Sequence, residues 1–311
     1  MAEIEVWRGS VAAWECDAMG HLNVGFYAAR SMEALAGLAA ELGLPRAFTP
    51  SASATLIVKE QYIRFLREAR VNAPIAITGG VLSMDESEAR LLFVMRHVDG
   101  AMAATFQTVV THATSREGRA FPWSDRARAR AEALATTVPE GGGPRSIGLE
   151  PVTTEASLAR AEALGLPVTG RGAVLAAHCD PFGRMLTEGF MQRLSGAIPN
   201  LFATNLFGQG GRAGDDSARR PNQGGAAMEY RILHHAWPRA GDRLQLRSGI
   251  GGGEARIQRI FHWILDPASG RPWATAQAIS VAFDLLTRKI ITFGDDELAE
   301  MRKGWIDGLG F

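Results

Sequence analysis

The chain has 311 residues, about twice a common single-domain length, so two domains or one large fold is expected. Apolar residues at 46% supply a sizeable core, and 33 Lys plus Arg balanced by 33 Asp plus Glu leave no net field to draw in nucleic acid or an anionic membrane. The cysteines are Cys16 and Cys179, no run of eighteen apolar residues occurs, and the N-terminus has no basic stretch leading into an apolar one, so the expectation is cytoplasmic, with no membrane partner.

Taken in order, Ile4 to Ala13 is a short β-prone run, and from Asn23 to about Leu42 the residues Phe26, Met32, Leu35, Leu38 and Leu42 recur at helical spacing. Gly43 and Pro45 stop that helix. Four strand-like runs follow, near Thr55 to Leu66, Ile75 to Ser83, Ala89 to Val98 and Ala101 to Ala113, with Asp99-Gly100 as a hairpin turn. Ser124 to Thr136 suits a surface helix, and Pro139 to Pro144 is a Gly-rich break. The order then repeats: a strand ending near Cys179, a helix from about Met185 to Asn205, and strands near Ala227 to His234, Arg243 to Ile250, Ala255 to Leu265 and Trp273 to Leu286. Gly208 to Gly225, with Arg212, Arg219 and Arg220, reads as a solvated loop or as a flap over a ligand.

Short identities support the repeat. Cys16-Asp17 with Gly20 returns as Cys179-Asp180 with Gly183, Tyr62 as Tyr230, Glu88-Ala89-Arg90 as Glu254-Ala255-Arg256, and Ala104-Thr105-Phe106-Gln107 as Ala274-Thr275-Ala276-Gln277. Their common order and near-constant spacing carry weight that no single match has. The predicted division is 1–124, a linker over 125–170, and 171–311. Each half is an α+β unit in which one long helix and a bent antiparallel sheet bury each other.

No Gly-x-Ser-x-Gly elbow, phosphate loop or dinucleotide fingerprint occurs. His234-His235 and His178-Cys179-Asp180 place neighbouring side chains on opposite strand faces, so neither run supplies two ligands to one metal. The informative segment runs from Trp14 to Tyr27: Asp17 in a turn, then Gly20, His21 and Asn23 at the entrance of a helix. A carboxylate there can act as a base or nucleophile, and the unpaired N–H groups of the helix start can hold a developing oxyanion. Equally, Asn23 can be an N-cap and Asp17 an Asx-turn residue.

Asp-x-x-Gly-His-Leu-Asn, an aromatic and Tyr27, a long helix and four strands ending in Gly118-Arg119-Ala120-Phe121-Pro122 resemble the hotdog-fold acyl-CoA thioesterases of the 4-hydroxybenzoyl-CoA type. Residues 171 to about 295 resemble a second, diverged unit, so the chain resembles a double hotdog forming a pseudo-dimer. The resemblance implies that Asp17 is the catalytic carboxylate, with His21 and Asn23 orienting the entrance. N–H groups from about Val24 to Tyr27 would polarise the carbonyl, so that Gly20, Gly25, Phe26 and Tyr27 meet the substrate. It also implies an acyl-CoA substrate of small or medium acyl length, no cofactor beyond the CoA of the substrate, and a homo-oligomer of such chains. In the second half Arg184 and Leu186 replace His21 and Asn23, so Asp180, Arg184 and Glu188 are expected to bind or to be structural. Glu188 with Gln192 supports the rival reading of a hydratase or dehydratase, and the degenerate half suits a non-catalytic acyl-CoA-binding module.

Overall fold

The computed structural model describes residues 4–206 and 222–311. The elements are β1 (Ile4–Ser10), α1 (Val24–Glu41), β2 (Ala54–Phe65), β3 (Pro74–Met84), β4 (Glu88–His97), β5 (Met102–Thr114), α2 (Asp125–Ala133), α3 (Leu158–Ala163), β6 (Val168–Ala173), α4 (Thr187–Leu206), β7 (Gln223–His234), β8 (Arg243–Glu254), β9 (Ile257–Leu265), β10 (Pro272–Asp284) and α5 (Asp295–Arg302). The loop expected over Gly208 to Gly225 lies outside the described residues as far as position 221, and Gln223 already opens β7.

The chain packs as two compact units. The first joins Met1–Pro144 with Val174–Ser195 and Trp237–Gly241, and the second joins Arg145–Ala173 with Gly196–Ala236 and Asp242–Phe311. These limits differ from a division at 124 and 171. The segment expected as linker is shared out, because its backbone hydrogen-bonds to strand side chains. In the first unit Thr105 Oγ1 donates to the Gly142 carbonyl (2.6 Å) and Arg64 donates to that of Gly143. In the second, Glu229 accepts from the N–H groups of Arg145, Ser146 and Ile147, while Arg231 donates to the carbonyls of Gly148 (2.8 Å) and Glu150 (2.9 Å).

In the first unit the antiparallel strands lie in the order β1-β3-β4-β5-β2, and in the second in the corresponding order β6-β8-β9-β10-β7. The repeat reaches beyond the strands: α5 follows β10 as α2 follows β5, and each helix leads into a parallel bridge, Val81 with Ala135 and Ile250 with Trp305. In β4 and β5 every residue from Leu91 to Met95 and from Ala103 to Thr108 is buried, so both faces of these central strands are covered, with Thr105, Gln107 and Thr108 among the buried side chains.

Helix α1 packs on β1 and β3 with Ala28, Ser31, Leu35 and Leu38 buried at three- and four-residue spacing. Gly37 permits that approach, since a Cβ there would stand 2.5 Å from the Val6 carbonyl oxygen. The helix ends as its sequence requires. Gly43 takes φ +89°, its N–H bonds Ala40 O (3.0 Å), and the Leu44 N–H bonds Ala39 O (2.8 Å), a Schellman closure.

The second unit buries histidines. His262 on β9 is fully buried, its Nδ1 lies 2.8 Å from Ser248 Oγ, and Ser248 in turn lies 2.8 Å from Thr169 Oγ1. Burial lowers its pKa to about 4, and burial together with His235 lowers that of His234 to about 3. Both are therefore neutral in the fold, while the unfolded chain takes up protons around pH 6.5. Between those values the unfolded state binds more protons, so stability falls as pH falls. Melting temperature should hold steady above pH 7 and drop from about 6.5 toward 4. A His262→Phe variant should show a shallower drop, and an unchanged slope would remove His262 from the linkage.

Candidate active site

The loop between the 3-10 turn Ala13–Glu15 and α1 is closed by its own backbone. Cys16 bridges Leu22, the Asp17 N–H bonds His21 O (2.8 Å) and the Gly20 N–H bonds Asp17 O (3.0 Å). Gly20 takes φ +77° with open space around it, so the left-handed backbone rather than crowding asks for glycine. Asp17 Oδ1 accepts from the N–H groups of Met19 (2.8 Å) and His21 (3.3 Å), an Asx-turn arrangement. Its Oδ2 has no protein partner among the described residues.

Asn23 is the N-cap of α1. Its Oδ1 accepts from the Gly25 N–H (2.9 Å), and its carbonyl accepts from Phe26 (2.8 Å) and Tyr27 (3.3 Å). That leaves Val24 as the first-turn N–H with no protein acceptor among the described residues, at the positive end of the helix dipole. The loop thus presents a half-held carboxylate and one uncapped donor. The neighbouring Cys16 thiol donates to Ala12 O (3.6 Å), and burial, with Asp17 and Glu15 nearby, raises its pKa, so the sulfur stays a thiol.

Two residues unremarked in the sequence hold this loop down. Glu15 is 2% exposed, accepts from the Ala12 N–H (2.9 Å) and pairs with Arg30 of α1. Its own carbonyl accepts the Asn23 N–H (2.9 Å). Arg30 also pairs with Glu33, which takes the Trp7 indole N–H (2.6 Å), and the guanidinium lies 5.3 Å from the Trp7 ring centre. An acid followed fifteen positions later by an arginine carries no local signature.

The predicted site residues take distinct places. The imidazole of His21 turns to Glu68, with Nε2 3.0 Å from Oε2, and not to Asp17. Tyr27 turns into the core, where its hydroxyl accepts the Ala69 N–H (3.2 Å), its ring stands edge-on to Phe65, and burial pushes its pKa up to about 12. Phe26 is half-buried. Gly25 marks a close approach: a Cβ there would lie 2.8 Å from Gln192 Cγ and 3.3 Å from Gln192 Cα. Next to it, Asn23 Nδ2 donates to Ser195 Oγ (3.1 Å). Thus α4 residues belonging to the first unit lie along α1, Ser195 at Asn23 and Gln192 at Gly25. Farther along, Glu33 is the charge that Glu188 feels.

The loop is built a second time around Asp180, after the 3-10 turn Ala176–His178. Asp180 N–H bonds Arg184 O (2.7 Å), Gly183 takes φ +82°, and Asp180 Oδ1 accepts from Phe182 N–H (2.8 Å) and Arg184 N–H (2.9 Å). Here the other oxygen is also taken, because Arg184 Nε donates to Oδ2 (3.0 Å) and Arg184 is 6% exposed. Leu186 offers no cap; the Glu188 carboxylate bonds its own backbone N–H instead. Burial raises the Glu188 pKa against that bond, and repulsion from Glu33 adds to the rise. Among the described residues no group of three or more His, Cys, Asp or Glu is placed to hold a metal.

Residues 11–131 match a family model described as the thioesterase-like superfamily. No curated protein matches the chain in sequence. Among solved structures, a putative oleoyl thioesterase from Lactobacillus plantarum superposes with a TM-score of 0.66 at 13% identity over 94% of this chain and 98% of that one. An acyl-ACP thioesterase from Bacteroides thetaiotaomicron does so at 0.62 and 10%, over 88% and 96%. The 12:0-ACP thioesterase from Umbellularia californica gives 0.58 and 10%, over 88% and 92%. At these identities the likeness establishes the fold, two hotdog units in one chain.

Gly25→Ala tests the close approach of α4. The new methyl meets a side chain that can move and a backbone Cα that cannot, so a loss of about 1–3 kcal/mol is expected in chemical denaturation. Gln192→Ala on that background should recover part of the loss, and wild-type stability of Gly25→Ala would show that the contact yields freely.

Proposed function

We propose that this thioester hydrolase, whose residues 11–131 match the thioesterase-like superfamily, cleaves an acyl-CoA of small or medium acyl length into acid and coenzyme A at Asp17. The observation that carries this reading is the unequal state of two otherwise matching carboxylates. Asp17 has Oδ1 fixed by two backbone N–H groups and Oδ2 without a protein partner among the described residues, whereas Asp180 has both oxygens held.

The chemistry needs few groups. With the thioester carbonyl oxygen at the Val24 N–H, charge that develops in the tetrahedral intermediate meets an uncapped donor and the helix dipole. Asp17 Oδ2 takes the proton of an attacking water, or attacks the carbonyl itself, while Oδ1 keeps the carboxylate in place. Collapse of the intermediate expels a thiol of pKa near 8.5, which departs as thiolate without a strong general acid. His21, paired with Glu68, supports the loop rather than the proton transfer.

The carrier has a second reading. Two of the neighbours that match nearly the whole chain are described as acyl-ACP and 12:0-ACP thioesterases, which favours a phosphopantetheine arm on a carrier protein as the alternative to coenzyme A. A panel of acyl groups on both carriers, followed with a thiol dye, decides between them. In that assay Asp17→Asn should lower turnover by about 10² or more and leave the melting temperature unchanged. Asp180→Asn should do the reverse, keeping turnover within about twofold while costing about 1–3 kcal/mol through the buried Arg184 it leaves unpaired. Equal losses of activity from the two would mean two equivalent sites.

A further inference from the structure

The second sequence repeat reaches the first repeat's entrance through α4. Glu188, Gln192 and Ser195 fall at i, i+4 and i+7, one face of that helix. Gln192 occupies the space left by the missing Cβ of Gly25, and Ser195 meets the carboxamide of Asn23. That carboxamide has a fixed sense. Its Oδ1 must face the Gly25 N–H it caps, which turns Nδ2 away from the helix to donate to Ser195 Oγ (3.1 Å). The same hydroxyl donates back to Oδ1 (3.3 Å), so Ser195 touches both ends of the carboxamide.

We propose that Ser195 is a positioning residue for thioester hydrolysis, holding the Asn23 carboxamide so that the Gly25 N–H stays capped and the Val24 N–H alone faces the carbonyl. This rests on the reading of Asp17 and Val24 given above. The argument is geometric. If Asn23 swings out, the Gly25 N–H loses its cap, the first turn of α1 frays and the Val24 N–H loses the fixed direction in which it meets the carbonyl. An ångström of displacement in a reacting group is worth more in rate than in stability. The duplicated helix thereby serves a catalytic entrance other than its own. Its own entrance, at Leu186, lacks the carboxamide that a serine would hold.

The test uses the full chain and the acyl-CoA of the panel that is turned over fastest. Ser195→Ala should lower kcat about tenfold with KM within about twofold, and Ser195→Thr, which keeps the hydroxyl, should restore it. The double variant Asn23→Ala, Ser195→Ala should be no slower than Asn23→Ala alone, since both changes remove one device. Amide hydrogen exchange supplies a readout independent of turnover: the peptide covering residues 22–27 should exchange faster in Ser195→Ala, with the melting temperature unchanged. Wild-type kcat in Ser195→Ala, an additive double variant, or unchanged exchange at residues 22–27 would each overturn the proposal. If no acyl-CoA or acyl carrier thioester is hydrolysed, the functional reading fails with it. If Asp17→Asn is impaired and Ser195→Ala is not, only the role of Ser195 falls.

Discussion

One carboxylate oxygen accepting two backbone N–H groups holds the whole entrance together. Asp17 Oδ1, bonded to Met19 and His21, closes a turn that would otherwise have buried donors without acceptors. Gly20 supplies the left-handed residue the turn needs, and the turn delivers Asn23 to the end of α1 in the extended conformation of an N-cap. The bonding of Asp17 is divided between its two oxygens: Oδ1 is spent on the turn, and Oδ2 has no protein partner among the described residues.

The same turn in the second half keeps its backbone and changes one carboxylate oxygen. Arg184 stands where His21 stands, and its guanidinium reaches back to the oxygen that the first copy leaves open. The backbone bonds of the loop are kept, and a charged hydrogen bond fills the place that is open at Asp17. Leu186 in place of Asn23 removes the cap as well, and Glu188 bends back onto its own N–H. What α4 retains is its outward face, which lies against the first entrance.

How much of this could be read in the sequence depended on distance along the chain. The Asp17, Gly20 and Asn23 pattern was legible because its parts fall within one turn of backbone and each has a single local duty. The Asp180 and Arg184 pair was legible for the same reason, opposite charges four positions apart. β4, β5, β9 and β10 were placed to within about two residues because turn residues break the chain around them, whereas the strand expected to end near Cys179 stops at Ala173, since Ala176–His178 forms a 3-10 turn. Ser195 was silent, because a serine in mid-helix is compatible with almost any surroundings and its partner is 172 positions away. Glu68, the partner of His21, and the Glu15 with Arg30 pair were silent for the same reason. For Tyr27 the sequence spoke only of its place at the helix start, and packing alone reveals that its hydroxyl accepts the Ala69 N–H.

The strap over residues 145–150 carries a lesson about where such a gene can be cut. Glu229 reads the donors of that strap and Arg231, two positions on, reads its acceptors, so two buried charges of opposite sign both bond to one passing piece of main chain. Any sequence can supply those amides, which is why the stretch looks like an unremarkable spacer, yet none can be absent. A fragment begun at residue 171 on the strength of composition would keep both charges and lose the main-chain hydrogen bonds of residues 145–150 to them. The second unit begins, in the energetic sense, before its first strand, and a shuffled or truncated descendant that ignored the spacer would inherit an electrostatic debt invisible in its alignment.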